Sequence, residues 1–281
     1  EKAWERPTGN EEVIVAVLDE GVDYTHPDLV ANMWVNPREV AGSTKDNDGN
    51  GYAGDIHGFN FVDGKGEINY DRDVDYDTGH ATHCAGIIAA VNNNGVGMAG
   101  VAGGTGNNDG VKIMSCQIFS QGYGGETRFS SRAIKYAADN GASIISCSYG
   151  YPGGLFMSDG EFLSKDGAEA AAVRYFEASK NNDVLDGGIA IYASGNDGDP
   201  YAGYPGALND IISVSAFGPD YLPTFYTNYG PGCNIVAPGG EAYLPPWTSY
   251  KGMILSTVPL KVAPSGYGYK QGTSMACPHV S

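Results

Sequence analysis

Three short segments put reactive side chains where the chain should change direction. The apolar run Val13-Ile14-Val15-Ala16-Val17-Leu18 ends in Asp19-Glu20-Gly21. A carboxylate there is costly to bury unless something hydrogen-bonds it. Its plainer role is a turn former at a strand end. In Gly79-His80-Ala81-Thr82-His83-Cys84-Ala85-Gly86, His80 opens an alanine-rich stretch, where a lone histidine is otherwise a surface or capping residue. In Gly272-Thr273-Ser274-Met275-Ala276-Cys277-Pro278-His279 the proline predicts a first helical turn, with Ser274 at the helix N-terminus. Its N–H would then point outward with the positive end of the helix dipole, and its plainer role is an N-cap. Asp, His and Ser are the groups that nucleophilic acyl transfer assembles. A fourth segment suits other chemistry. Asp46, Asp48 and Asn50 offer oxygens at alternate positions, Gly49 permits a sharp turn, and the Tyr52 carbonyl and Asp55 follow. That pattern predicts a calcium loop, although Gly49 stands at the fourth place rather than the sixth and His57 holds the twelfth. The plainer reading is an Asx-rich turn.

Positioning such groups requires a scaffold, and the chain predicts one. Besides Val13 to Leu18, short β-branched runs occur at Val111 to Cys116, Ser143 to Cys147, Ile189 to Ala193, Ile211 to Ser215 and Asn234 to Ala237. Unbroken apolar runs of this kind are strands buried on both faces. Helical stretches are expected over Thr82 to Val91, Ser130 to Asn140 with Gly141 as C-cap, and Gly167 to Asn181. The alternation predicts an α/β fold, a mostly parallel sheet with helices on both faces, and reactive groups beyond the strands' carboxyl ends. No internal repeat or linker divides the chain, so residues 1–281 read as one domain.

Composition narrows the class. The chain has 281 residues, 16 Lys and Arg against 33 Asp and Glu, a formal net charge of −17, and 42 glycines. No basic cluster is present to neutralise phosphates, which argues against nucleic-acid binding. No run of about 18 apolar residues predicts a membrane span. With 42% hydrophobic residues the chain is not a disordered one. The five cysteines are odd in number and scattered, without metal spacing, and read as buried small hydrophobes with at least one free thiol.

The segments of Asp19, His80 and Ser274 are each weak alone and specific together. With Tyr192-Ala193-Ser194-Gly195-Asn196-Asp197-Gly198 they resemble, in order, the motifs of the subtilisin-like serine proteases across nearly the whole chain. The resemblance implies a subtilisin-like fold and a serine endopeptidase working through an acyl-enzyme. Ser274 would attack, His80 would relay the proton, Asp19 would orient the imidazole, and Asn196 with the Ser274 N–H would receive the oxyanion. His83 and His279 would be bystanders in helix interiors. Ser148, Tyr149 and Gly150 would pair with an extended substrate and wall a pocket opposite Ala193 and Gly195, with Gly203 as its floor. Asp197 would stand at the entrance, where a carboxylate favours a basic side chain, as could Asp71, Asp73, Asp75 and Asp77. The partners implied are protein or peptide substrates and a pro-segment of its own. A second calcium loop is suggested at Asp28 with Asn92, Asn93 and Asn94.

The chain departs from the pattern at two small points and one large one. Glu20 replaces a Ser or Thr and is expected to point outward. Ala81 replaces a glycine, which touches the placement of His80. The chain stops at Ser281, seven residues after Ser274, so a fragment of a longer protein is expected. Its start at Glu1 without Met suggests a removed or upstream leader and, with the acidic charge, a secreted or cell-surface location. Two rivals to the endopeptidase are a catalytically idle peptide-binding module on the same fold and an esterase or amidase.

Overall fold

Val15, Ala16, Val17 and Leu18 have no polar side chain to offer water, and the strand they form, β1 (Ile14–Asp19), is buried on both faces. The computed structural model describes residues 8–70, 79–120, 126–242 and 249–281. Around β1 run β2 (Gly58–Asn60), β3 (Lys112–Gln117), β4 (Ile144–Cys147), β5 (Ile189–Ala193), β6 (Ile212–Phe217) and β7 (Ile235–Pro238). Their order is β2-β3-β1-β4-β5-β6-β7, with every pairing parallel. The period of two along β1 sends Ala16 and Leu18 to one face and Val15 and Val17 to the other.

The first face is covered by α2 (Thr127–Asp139) and α3 (Asp159–Ala178), which bury Phe129, Ile134, Tyr136, Phe162 and Phe176. The opposite face carries α1 (His80–Ala89) and α4 (Thr273–Val280). Asp19 ends β1, His80 starts α1 and Ser274 is the second residue of α4. His80 meets Asp19, and Cys84 of α1 meets the Ser274 carbonyl, so the sheet's carboxyl edge and two helix N-termini come together.

An antiparallel hairpin, β8 (Ile254–Thr257) with β9 (Tyr267–Lys270), clamps α1 from outside. Ser256 Oγ donates to the His83 carbonyl at 2.7 Å and Thr257 Oγ1 to the Thr82 carbonyl at 2.7 Å. A Cβ on Gly86 would lie 2.2 Å from Thr257 Oγ1, so glycine alone allows this approach. His83, fully buried, puts Nε2 against the carbonyls of Ile254 and Gly268 at 3.1 and 3.2 Å. Burial pushes its pKa down to about 3, which keeps it neutral.

Three expectations shift. The third helix begins at Asp159 rather than Gly167 and bends at Asp166 (φ −141°, ψ 47°), with Ser158 Oγ capping the Glu161 N–H. Pro278 sits in the second turn of α4, not the first. It lacks the N–H that would bond the Ser274 carbonyl four residues back, and that carbonyl accepts Ser148 Oγ at 2.8 Å instead. Strands β2, β8 and β9 had no counterpart in the expected run of strands. All five cysteines are free; only Cys233 is not fully buried.

Candidate active site

Asp19 is 3% exposed at the end of β1, and its charge is held by two donors. Its Oδ1 accepts the Glu20 N–H at 2.7 Å, and its Oδ2 lies 2.7 Å from His80 Nδ1. That contact assigns the proton to Nδ1 and leaves Nε2 without a partner among the described residues. Burial pulls the His80 pKa down, but the Asp19 carboxylate, the nearby Cys84 and their hydrogen bonds outweigh it and raise the pKa well above 6.5. Ala81 lies inside regular α1 and causes no strain; the left-handed residue is Gly79 (φ 61°), where a Cβ would meet Pro259 at 2.6 Å.

Glu20 does not point outward as expected. Its Oε2 accepts the His80 N–H at 3.2 Å, placing a carboxylate at the N-terminus of α1. Cys84, one turn further, is more than a hydrophobe. Its Sγ lies 3.4 Å from the Ser274 carbonyl, 3.5 Å from Ser148 Oγ and 4.0 Å from His80 Nδ1.

Ser274 is the second residue of α4, and its Oγ donates to the Ser148 carbonyl at 3.2 Å. Asn196 follows β5 and faces it. Thr273 N–H and Oγ1 both donate to Asn196 Oδ1, at 2.8 and 3.0 Å, which turns the Nδ2 donors away from Thr273. Neither Asn196 Nδ2 nor the Ser274 N–H has a partner among the described residues. Two aimed N–H donors beside a hydroxyl are what stabilises a developing oxyanion. The asparagine loop is organised by a residue that motif reading missed. Buried Asn228 donates to the Ser194 carbonyl at 3.0 Å and accepts the Asp197 and Asp199 N–H groups at 2.9 and 3.2 Å. Its signal in sequence, a lone Asn in Thr227-Asn228-Tyr229, is too common to stand out.

A cavity of about 410 Å³ opens beside Ser274. Ser148, Tyr149, Gly150, Ala193, Gly195, Asn196 and Asp197 all line it. No backbone hydrogen bond joins Tyr149 or Gly150 to another described residue, so their N–H and C=O groups are open to an extended chain. Gly203 does not line it; a Cβ there would meet the Tyr151 carbonyl at 2.1 Å, and Pro205 forms that side of the cavity. Asp197 Oδ2 accepts the Gly153 N–H at 3.0 Å and so also ties down the neighbouring loop. Asp71, Asp73, Asp75 and Asp77 lie outside the described residues.

The acidic loop is distinct from this cavity. The carboxylates of Glu39, Asp46 and Asp48 converge within 4.8 Å of one another. Glu39 Oε2 is buried without a hydrogen-bond partner, which a cation would satisfy. The N–H groups of Gly51, Gly49 and Asn50 hold Asp46 below the usual carboxylate range. Asp55 turns away to the interior, where it accepts the Tyr136 hydroxyl at 2.6 Å and the Asn36 and Asn50 amides at 3.2 and 3.0 Å. Burial raises its carboxyl despite these donors. Asn50 Oδ1 accepts the Tyr52 N–H, and the Tyr52 ring packs on Phe59 and Tyr136. Glu39, seven residues before Asp46, was outside the motif and therefore missed. At the second suggested loop the Asp28 carboxylate is held by donors from the chain itself, Asn94 Nδ2 at 2.6 Å, the Met98 N–H at 3.0 Å and the Tyr267 hydroxyl at 3.1 Å.

Known proteins match the chain along nearly its whole length. The model of the subtilase family of peptidases matches residues 10–281. Halolysin of Haloferax mediterranei is 32% identical over 281 residues, covering 100% of this chain and 42% of that protein. A thermophilic serine proteinase of Bacillus sp. strain AK1 is 31% identical over 284 residues, covering 99% and 53%. The chain thus spans about half the length of these relatives. A solved protease structure from Pseudoalteromonas arctica superposes with a TM-score of 0.69 at 27% identity, covering 99% of this chain and 77% of that one.

Proposed function

The chain belongs to the subtilase family, and we propose that residues 1–281 are its catalytic domain, a serine endopeptidase acting on extended peptide segments. The observation that supports this most is the pairing of His80 with Asp19 at 2.7 Å while Ser274 and Asn196 open onto one cavity. Ser274 Oγ leaves its bond to Ser148 and attacks the scissile carbonyl as His80 Nε2 takes its proton. Asp19 stabilises the imidazolium, and Asn196 Nδ2–H with the Ser274 N–H receives the oxyanion. Collapse of the intermediate expels the amine, protonated by His80, and water hydrolyses the acyl-enzyme by the same steps in reverse. Tyr149 and Gly150 hold the substrate's acyl part by main-chain pairing, and a pro-segment of the same protein would bind that way too.

Loss of Asp19, His80, Asn196 or Ser274 would have favoured the idle-module reading, and the chain carries all four. An acidic, secreted enzyme is the setting this reading favours. Among the described residues no helix is long and apolar enough to cross a membrane.

The loop of Glu39, Asp46 and Asp48 is read as a calcium site that stiffens the approach to β2. Calcium binding the folded chain alone adds about 2.7 kcal/mol at a hundredfold excess over Kd. Chelation should therefore lower the melting temperature, and Asp46→Asn should abolish that response. An unchanged melting temperature in chelator would remove the metal from this reading.

Labelling with a fluorophosphonate probe tests the peptidase itself. Wild type should label and Ser274→Ala should not. A chain that folds with calcium yet never labels would favour the binding module.

A further inference from the structure

One wall of the substrate cavity carries a charge that the reaction does not use. Glu169, in the second half of α3, lines the cavity yet is only 4% exposed. Its Oε1 accepts the hydroxyls of Tyr149 at 2.7 Å and Tyr192 at 3.0 Å, and its Oε2 accepts Ser130 Oγ at 2.8 Å. All three donors are neutral, so they orient the carboxylate without cancelling its charge. A carboxylate offers about four lone-pair directions, and one remains. Beside it Asp166, 8% exposed, takes the Thr127 and Tyr151 hydroxyls on a single oxygen. No Lys, Arg or His lines the cavity among the described residues, whereas Glu126 and Asp197 do.

A buried carboxylate in a wall of this kind discriminates strongly between occupants. An aliphatic side chain seated against it would displace water and leave the charge uncompensated. A lysine or arginine would lay its apolar stem along Ile118, Phe119 and Tyr149 and bring its charged head to the carboxylate. Burial raises the Glu169 carboxyl above its ordinary range, and a cationic occupant would favour the ionised form.

We propose that Glu169 is a specificity residue whose recess receives the cationic side chain of a lysine or arginine in the acyl part of the substrate. This rests on the peptidase reading. A mere clamp between α2, α3 and the segment after β4 would influence all substrates alike, whereas a subsite acts only on basic ones.

The test is a set of fluorogenic peptides carrying Lys, Arg, Leu or Glu in turn at each of the four positions before the cut, with fluorophosphonate titration of active sites. Wild type should prefer a basic residue at one position by about thirty-fold or more in kcat/KM. Glu169→Gln should lose that preference with the Leu peptide unchanged within about threefold. Glu169→Asp, with its carboxylate withdrawn by one methylene, should keep a basic preference and favour the longer Arg over Lys. A labelled wild type with no basic preference at any position would overturn the proposal, as would Glu169→Gln with the wild-type profile or an equal loss on every peptide. Should Glu169→Gln yield no labelled protein, an Arg-to-Lys ratio unchanged in Glu169→Asp would overturn it. Failure of wild type to label would sink the peptidase reading itself and this proposal with it.

Discussion

The proposed proton-relay half of the site and the proposed nucleophile half are built from different forces. Asp19, His80 and Glu20 are joined by charged hydrogen bonds between side chains and the first N–H of α1. Ser274 and Asn196 have no charged partner among the described residues and are placed by backbone groups, the Thr273 hydroxyl and the carbonyl that Pro278 releases. Charge suits the first half because the imidazole must carry a proton during the reaction. Neutrality suits the second, since the negative charge there belongs to the transition state and a permanent countercharge would be spent on the ground state. Cys84 lies between them and touches both His80 and the Ser274 carbonyl, and Ser148 joins Cys84 to Ser274.

Breaking either half should cost activity on very different scales. Ser274→Ala should lower kcat on the order of 10⁶-fold, read as residual peptide hydrolysis. Asp19→Asn should lower it about 10⁴-fold by favouring the wrong imidazole tautomer, with labelling slowed in parallel. Asn196→Ala should cost about 10²- to 10³-fold in kcat with KM little changed, because its donor acts on the oxyanion alone. If Asn196→Ala raised KM instead, the residue would be binding the ground state and the contrast drawn here would fail.

The pH dependence sharpens the same comparison. The relay needs neutral His80, whose pKa stands well above 6.5, so kcat/KM should rise through an acid limb displaced to higher pH. For stability the sign reverses. A folded pKa raised above the unfolded one stabilises fully below pH about 6.5 and less as pH climbs through the folded value. Denaturant titrations of wild type and Asp19→Asn across that window should show the gap closing with rising pH. The smallest effect belongs to Glu20→Gln, which removes an anion from the N-terminus of α1 and should lower stability by about 0.3–1 kcal/mol.

Much of this was legible because the proposed catalytic residues sit where elements begin or end. Asp19 closes an apolar run, His80 opens an alanine-rich stretch, and Ser274 precedes a proline, so each announces its place locally. Strands β1 and β3 to β7 were visible through β-branched runs, α1 to α3 through alanine content, capping and helical spacing, and α4 through Pro278. Strands β2, β8 and β9 were not, because three or four residues are too few to show a period. The start of α3 at Asp159 was hidden by the break at Asp166 and Gly167. Glu39 was missed because it stands outside the loop motif, and Asn228 because it acts on a loop 31 to 34 residues away.

By itself, then, the sequence determined the chemistry: which residue types are present, in what order, at the mouths of which elements. Local rules of burial, capping and turn formation act between neighbours, and neighbours are what a sequence displays. Only the tertiary structure decided how each group is used. It turned Glu20 onto the helix end, swung Asp55 inward to Tyr136, moved Pro278 to a place where its missing N–H frees the Ser274 carbonyl, and set Glu169 among three hydroxyls in a cavity wall. Each of those outcomes depends on partners up to 126 residues away, as Ser148 is from Ser274. The free energy of a polar group is set by whatever surrounds it in space, and that is known only once the chain has folded.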